Sequence, residues 1–277
     1  MIFVEYHVAY LGIIRPLNCG ITLVSVLVGA WVGRGIHFSG TLVAAGLVGF
    51  VVCAFGNVIN DLKDIEIDRI NNPKRPLPSG RVKPNIAWLM AIAFLVSAVA
   101  GSLFLGIPSF LIVITALVLL FLYSTYLKKT PAGNFTVAFI TGLSFIFGGI
   151  VTGNTACLIP GVFSIFIHLP REIIKDVIDM NGDRLAGART LPIIAGPFAA
   201  YNVSTIFLGL LCLMLPLPYI AGILGFAYII IILAAAYPLL FYIIYRLMTR
   251  PSTEALPLIS NLLKASMTVG LFAMIVS

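Results

Sequence analysis

Charge is what this sequence has least of. Only 10% of its 277 residues are Asp, Glu, Lys or Arg, while 60% are hydrophobic; ordinary soluble domains carry about 25% charged residues. A chain this poor in charge cannot coat a water-facing surface, which excludes a soluble fold. Its four cysteines, Cys19, Cys53, Cys157 and Cys212, lie far apart with no CxxC or Cys/His spacing. A disulfide framework and a zinc centre are therefore excluded, and the thiols read as small apolar packing groups. No soluble basic domain exists to hold nucleic acid, so the net charge of +7 reads as membrane orientation and attraction to anionic headgroups or substrates. Nothing points to an obligate protein partner.

What the chain has is long apolar runs. They recur at 8–33, 39–59, 86–106, 108–127, 133–153, 155–170, 193–215, 217–245 and 255–276, each near the roughly 20 residues that cross a bilayer. The runs are continuous and do not alternate in polarity, and backbone groups in lipid must be satisfied internally, so helices are favoured over a barrel. The sequence predicts an all-α, multi-pass membrane protein of about nine helices. The first run is too long for a signal-peptide core, and Glu5 stands where a basic flank would be, so that run is expected to persist as the first span.

Fourteen of the seventeen Lys and Arg fall after the second, fourth, sixth and eighth runs, in four segments on one face. The opposite loops, around Gly106 to Pro108, Gly153 to Ala156 and Pro216 to Pro218, are uncharged, with only Arg34 dissenting. The positive-inside rule makes the basic face cytoplasmic in the cell membrane, with the N-terminus inside and the C-terminus outside.

Eight of the ten acids sit in two clusters, Asp61, Asp64, Glu66, Asp68 and Glu172, Asp176, Asp179, Asp183. Ionisable groups beside hydrocarbon are costly and mark function by default. Asn57, Asp61, Asp64, Asp68, Arg69 and Glu172, Asp176, Asp179, Asp183, Arg184 repeat at an offset of 115 residues, dividing the chain into pseudo-repeated halves of about 1–130 and 131–277 within a single domain. On a helix, steps of four, three and four place such side chains within roughly 60° of one another. Two facing carboxylate stripes require a cation between them, and Mg²⁺ suits hard oxygen ligands shared with phosphate. Arg69, Lys128, Arg171, Lys175 and Arg184 would complete a pocket for a phosphorylated ligand. A cation-coupled transporter is the rival of another class, but it would place its acids near mid-bilayer and not at helix ends among basic loops.

The stretch Asn60-Asp61-Leu62-Lys63-Asp64-Ile65-Glu66-Ile67-Asp68, followed by Arg69 and Arg75-Pro76, resembles the NDxxDxxxD motif of the UbiA superfamily of intramembrane prenyltransferases. Asp179-Met180-Asn181-Gly182-Asp183 is similar to that family's DxxxD segment, Tyr123 to Lys128 to its YxxxxK element, and Arg15-Pro16-Leu17-Asn18 to its N-terminal region. The motifs occur in family order across essentially the whole chain. The resemblance implies a helical bundle around a central cavity open laterally to lipid, capped by a polar cytoplasmic end. It implies that Asn60, Asp64, Asp68, Asp179 and Asp183 bind Mg²⁺ and a diphosphate, with Asp61 and Asp176 as further metal helpers. Asp64, Asp68, Asp179 and Asp183 would then carry the catalysis. Arg69, Tyr123, Lys128, Arg171, Lys175, Arg15 and Asn18 would hold the diphosphate.

Among family members, those that build archaeal ether lipids are most similar in loop wording, length and N-terminal start. This implies geranylgeranyl diphosphate as donor and the free hydroxyl of a singly prenylated glycerol phosphate as acceptor, with aromatic or quinone-precursor acceptors as the alternative. Tyr123, Tyr126, Phe135, Phe139 and Phe145 are candidates to face an allyl cation. His7, His37 and His168 show no catalytic spacing, although His168 stands close enough to Arg171 to touch the site.

Overall fold

The computed structural model describes residues 9–277, without the side chains of residues 70 and 71. The start of the first span, with Glu5 and His7, lies outside the described residues. The described residues are helical, with no strand among them. In chain order the spans are α1 (Pro16–Trp31), α2 (Gly40–Lys63), α3 (Pro84–Phe104), α4 (Ile107–Leu127), α5 (Pro131–Thr152), α6 (Thr155–Leu185), α7 (Pro197–Ile220), α8 (Phe226–Met248) and α9 (Thr253–Ile275). Eight are long and apolar enough to cross a membrane, while α1 has 16 residues, about 24 Å at 1.5 Å per residue. A helical stretch at 9–14 leads into α1, and Arg15, at φ 54°, separates the two.

Proline starts these helices. Pro16, Pro84, Pro108, Pro131 and Pro197 each occupy a first-turn position, where the missing N–H costs nothing because that donor has no intrahelical partner. On the uncharged side, Gly153 ends α5 at φ 67°, a left-handed turn that glycine enters without steric cost.

α1 packs on α2 and α5, α2 on α3, α5 on α6, and α6 on α7. α1 and α5 cross closely enough that a Cβ on Gly148 would lie 1.8 Å from the Val26 carbonyl oxygen and one on Gly29 1.9 Å from that of Phe145. Gly33, four residues beyond Gly29, lies in the turn after α1 at φ +69°, so these two glycines do not form one packing stripe. The buried apolar side chains form two clusters, one drawn mainly from residues 9–147 and one from 163–274.

The sequence places the end of the sixth span near residue 170. The helix instead runs through Pro170 to Leu185, forgoing one backbone hydrogen bond at the proline. At 31 residues α6 is about 46 Å long, against a hydrocarbon core of about 30 Å, so its acidic C-terminal third projects into the headgroup region. The first stripe behaves differently. α2 stops at Lys63, Asp64 sits at the break, and Asp68 lies on a separate short helix, Ile65–Asn71.

Candidate active site at the basic end of the bundle

The break at Asp64 keeps its backbone connected, because Asp64 N–H donates to Asn60 O at 3.0 Å and Asp68 N–H to Asp64 O at 2.8 Å. Asp61, Asp64 and Asp68 therefore stay together, at 5%, 8% and 4% exposure. Each is neutralised by a base from elsewhere. Asp61 accepts from Arg15. Asp64 pairs with Lys128 and accepts from Asn60 Nδ2 at 3.1 Å. Asp68 accepts from Arg75 Nη1 at 2.6 Å and from Asn72 Nδ2 at 3.2 Å. Arg75 Nη1 also stands 3.9 Å from Asp61, bridging both ends of the stripe. Asn57, read from the repeat as the stripe's first member, instead donates to Ile14 O at 2.9 Å and lies against the Cys19 and Cys53 sulfurs. It fastens α2 to the start of α1.

The second stripe is open. Asp179 is exposed and Asp176 and Asp183 are part-exposed, and none of the three has a cationic partner within 4 Å among the described residues. Asp176 accepts from Asn134 Nδ2 at 2.7 Å. Glu172, buried, pairs with Arg171 and lies 4.0 Å from Lys175. Arg171 Nε is buried and makes no hydrogen bond among the described residues.

Tyr123 and Lys128 join the halves. The last five residues of α4, Tyr123–Leu127, form a π turn closed by Lys128 N–H donating to Tyr123 O at 3.0 Å. In an α-helix, residues five apart point in different directions; the i to i+5 bond stacks them. Tyr123 consequently feels the charges of Asp64 from the first stripe and of Glu172, Asp176 and Asp183 from the second, and Lys128 acts on Asp183 as well as on Asp64. The loops close over the same end, with Arg189 N–H donating to Lys129 O at 2.7 Å and Lys129 Nζ to Ala186 O at 3.1 Å.

Of the diphosphate-binding candidates, the structure brings Arg15, Tyr123, Lys128 and Arg171 to the acids. Lys175 is exposed beside Glu172, Arg69 is turned outward onto Glu66 at 3.1 Å, and Asn18 is exposed with no side-chain hydrogen bond among the described residues. Sequence reasoning missed Arg75 and Asn134 as site residues. For Asn134 the usable signal was an amide set alone in an apolar helix. The donors Asn60, Asp64, Asp68, Asp176, Asp179 and Asp183 are all oxygen, which fits a hard divalent cation. Among the described residues no three His, Cys, Asp or Glu side chains close around an ion by themselves, so the set fits a cation that keeps waters and takes further oxygens from a phosphorylated ligand.

One helical turn along α6 from Glu172, toward the uncharged end, His168 enters the wall of a small, partly open apolar pocket of about 80 Å³ between α5 and α9, lined also by Phe145, Phe163, Ile167, Leu240 and Met267. Of the aromatic candidates only Phe145 lines this pocket; Tyr126 and Phe135 are exposed, and Phe135 stacks on Phe139 at 6.2 Å.

Residues 22–263 match the model of the UbiA prenyltransferase family. The digeranylgeranylglyceryl phosphate synthase of Methanocaldococcus jannaschii is 38% identical over 280 residues, covering 99% of this chain and 98% of its own length. A solved digeranylgeranylglyceryl phosphate synthase structure superposes with a TM-score of 0.87 at 36% identity, covering 98% of each chain. A UbiA homolog from Archaeoglobus fulgidus, solved with GPP and Mg²⁺, has a TM-score of 0.71 at 22% identity, covering 97% of this chain and all of that one.

Proposed function

Because this chain belongs to the UbiA prenyltransferase family, and is thus a multi-pass membrane prenyltransferase, we propose that it makes the second ether bond of archaeal membrane lipids. A geranylgeranyl group passes from geranylgeranyl diphosphate to the free hydroxyl of geranylgeranylglyceryl phosphate, and pyrophosphate is released. The observation that carries this reading is end-to-end similarity to a relative named for that product, joined to an acid-and-base cap one turn of α6 from an apolar pocket. Membership of a prenyltransferase family sets the transporter reading aside.

Asn60, Asp64, Asp68, Asp176, Asp179 and Asp183, helped by Asp61, would hold Mg²⁺, which when bound supplies positive charge to the diphosphate oxygens; the Archaeoglobus homolog's binding of GPP and Mg²⁺ supports this. Lys128, Arg171 and Lys175 bind the diphosphate and neutralise the charge that grows on it as its bond to C1 of the prenyl group breaks. The apolar wall keeps water from the allylic carbon, and the Phe145 face stabilises positive charge there. Both halves contribute to one transmembrane unit whose basic end faces the cytoplasm.

The test is Mg²⁺-dependent pyrophosphate release from geranylgeranyl diphosphate by purified protein, with the lipid product identified by mass spectrometry. Formation of the doubly prenylated glycerol phosphate is expected. Turnover only with an aromatic acceptor would overturn the assignment.

A further inference from the structure

One titratable side chain lines the apolar pocket. His168 lies one helical turn below Glu172 on α6, where the polar cap meets the apolar wall. Its Nδ1 is 2.9 Å from the Ser164 carbonyl oxygen and 3.2 Å from Ser164 Oγ. Ser164 Oγ donates to Thr141 Oγ1 at 3.3 Å, and Thr141 Oγ1 donates to the Ala138 carbonyl at 2.7 Å. A carbonyl oxygen can only accept, so this chain has a single direction: both hydroxyl protons are already committed, and Nδ1 must carry the proton that meets Ser164 O. In the neutral ring Nε2 is then the lone-pair nitrogen.

That nitrogen makes no hydrogen bond among the described residues, yet it is not sealed in. His168 is part-exposed, and its side chain lines the pocket. A base of fixed tautomer thus stands at the level where a lipid acceptor changes from anionic head to hydrocarbon tail, which is where its glycerol hydroxyl would lie. The first-stripe carboxylates are already committed to Arg15, Arg75 and Lys128, leaving them less basic toward a hydroxyl.

We propose that His168 Nε2 is the proton acceptor for the acceptor hydroxyl, an inference that rests on the prenyl-transfer reading above. The hydroxyl oxygen forms its bond to C1 of the prenyl group as the C1–O bond breaks. The bonding pair leaves on pyrophosphate, the hydroxyl proton moves to Nε2, and the imidazolium returns it to the departing pyrophosphate or to water. Pre-oriented acid–base groups commonly contribute about 10²–10⁴-fold.

The experiment uses full-length protein with Mg²⁺, geranylgeranyl diphosphate and the glycerol phosphate acceptor, measuring pyrophosphate release and ether product separately. In His168→Gln, which keeps a polar atom in place but cannot take a proton, ether formation is expected to fall about 100-fold. Pyrophosphate release should fall far less, the difference appearing as geranylgeraniol. In His168→Ala, added imidazole should restore ether formation. An unchanged product ratio in His168→Gln, or loss of both products in His168→Ala without imidazole rescue, would overturn the assignment. Absence of pyrophosphate from the unaltered protein would instead sink the prenyl-transfer reading, and this inference with it.

Discussion

At the scale of single residues, the two stripes share a spacing but not an environment. Asp61, Asp64 and Asp68 are almost fully buried and each is neutralised, so removing a partner leaves a charge with little water around it. Arg75→Ala should therefore lower stability by about 1–3 kcal/mol, read as a lower midpoint in detergent thermal unfolding; an unchanged midpoint would show that water replaces the guanidinium. Asp183, part-exposed and without a cationic partner within 4 Å among the described residues, predicts the opposite pattern. Asp183→Asn should leave the midpoint in place while reducing pyrophosphate release by at least about 100-fold, the loss of a charge that acts mainly in the transition state. Lys128 spans both classes: Lys128→Met should raise KM for the diphosphate and also destabilise, because Asp64 loses its partner. The acids were legible in the sequence because carboxylates stand out against hydrocarbon. Their partners were less so, since Arg75 lies in a loop holding several bases and only the fold selects which of them turns inward.

At the scale of elements, helix identity followed from apolar length, but helix ends and breaks did not. Hydropathy falls near Pro170, although the helix continues to Leu185, because backbone hydrogen bonding does not require lipid. The π turn at Tyr123–Leu127 is invisible to hydropathy, and its only sequence trace is the five-residue separation of Tyr123 and Lys128. Close helix crossing was similarly hidden among 25 glycines, since composition cannot say which of them meets a neighbouring backbone. Geometry makes that distinction testable. Gly148→Leu would drive a Cβ to within 1.8 Å of the Val26 carbonyl, forcing α1 and α5 apart, and should cost at least about 3 kcal/mol by analogy with severe overpacking. Gly209→Ala, on α7, meets nothing within 4 Å and should stabilise by about 0.5–1 kcal/mol through helix propensity. Thermal midpoints of the two variants in one detergent should therefore move in opposite directions; a shared direction would refute the crossing geometry.

At the scale of the whole molecule, the site lies where two chemical gradients meet. Bases and acids gather at one end of the bundle, and an apolar pocket begins at His168, one turn of α6 from Glu172, an order of polar and apolar groups that matches an amphiphilic ligand. The same asymmetry predicts orientation, since basic loops near spans are retained on the cytoplasmic side. Ser79 lies exposed in the basic loop between α2 and α3, and Ala221 lies exposed between α7 and α8 at the other end. In right-side-out vesicles a membrane-impermeant maleimide should label Ala221→Cys at once and Ser79→Cys only after permeabilisation. Background should be low because Cys19, Cys157 and Cys212 are buried and Cys53 is half-buried. Labelling of Ser79→Cys in intact vesicles would reverse the topology, turning the acid-and-base cap away from the compartment that supplies cytoplasmic prenyl diphosphates and Mg²⁺.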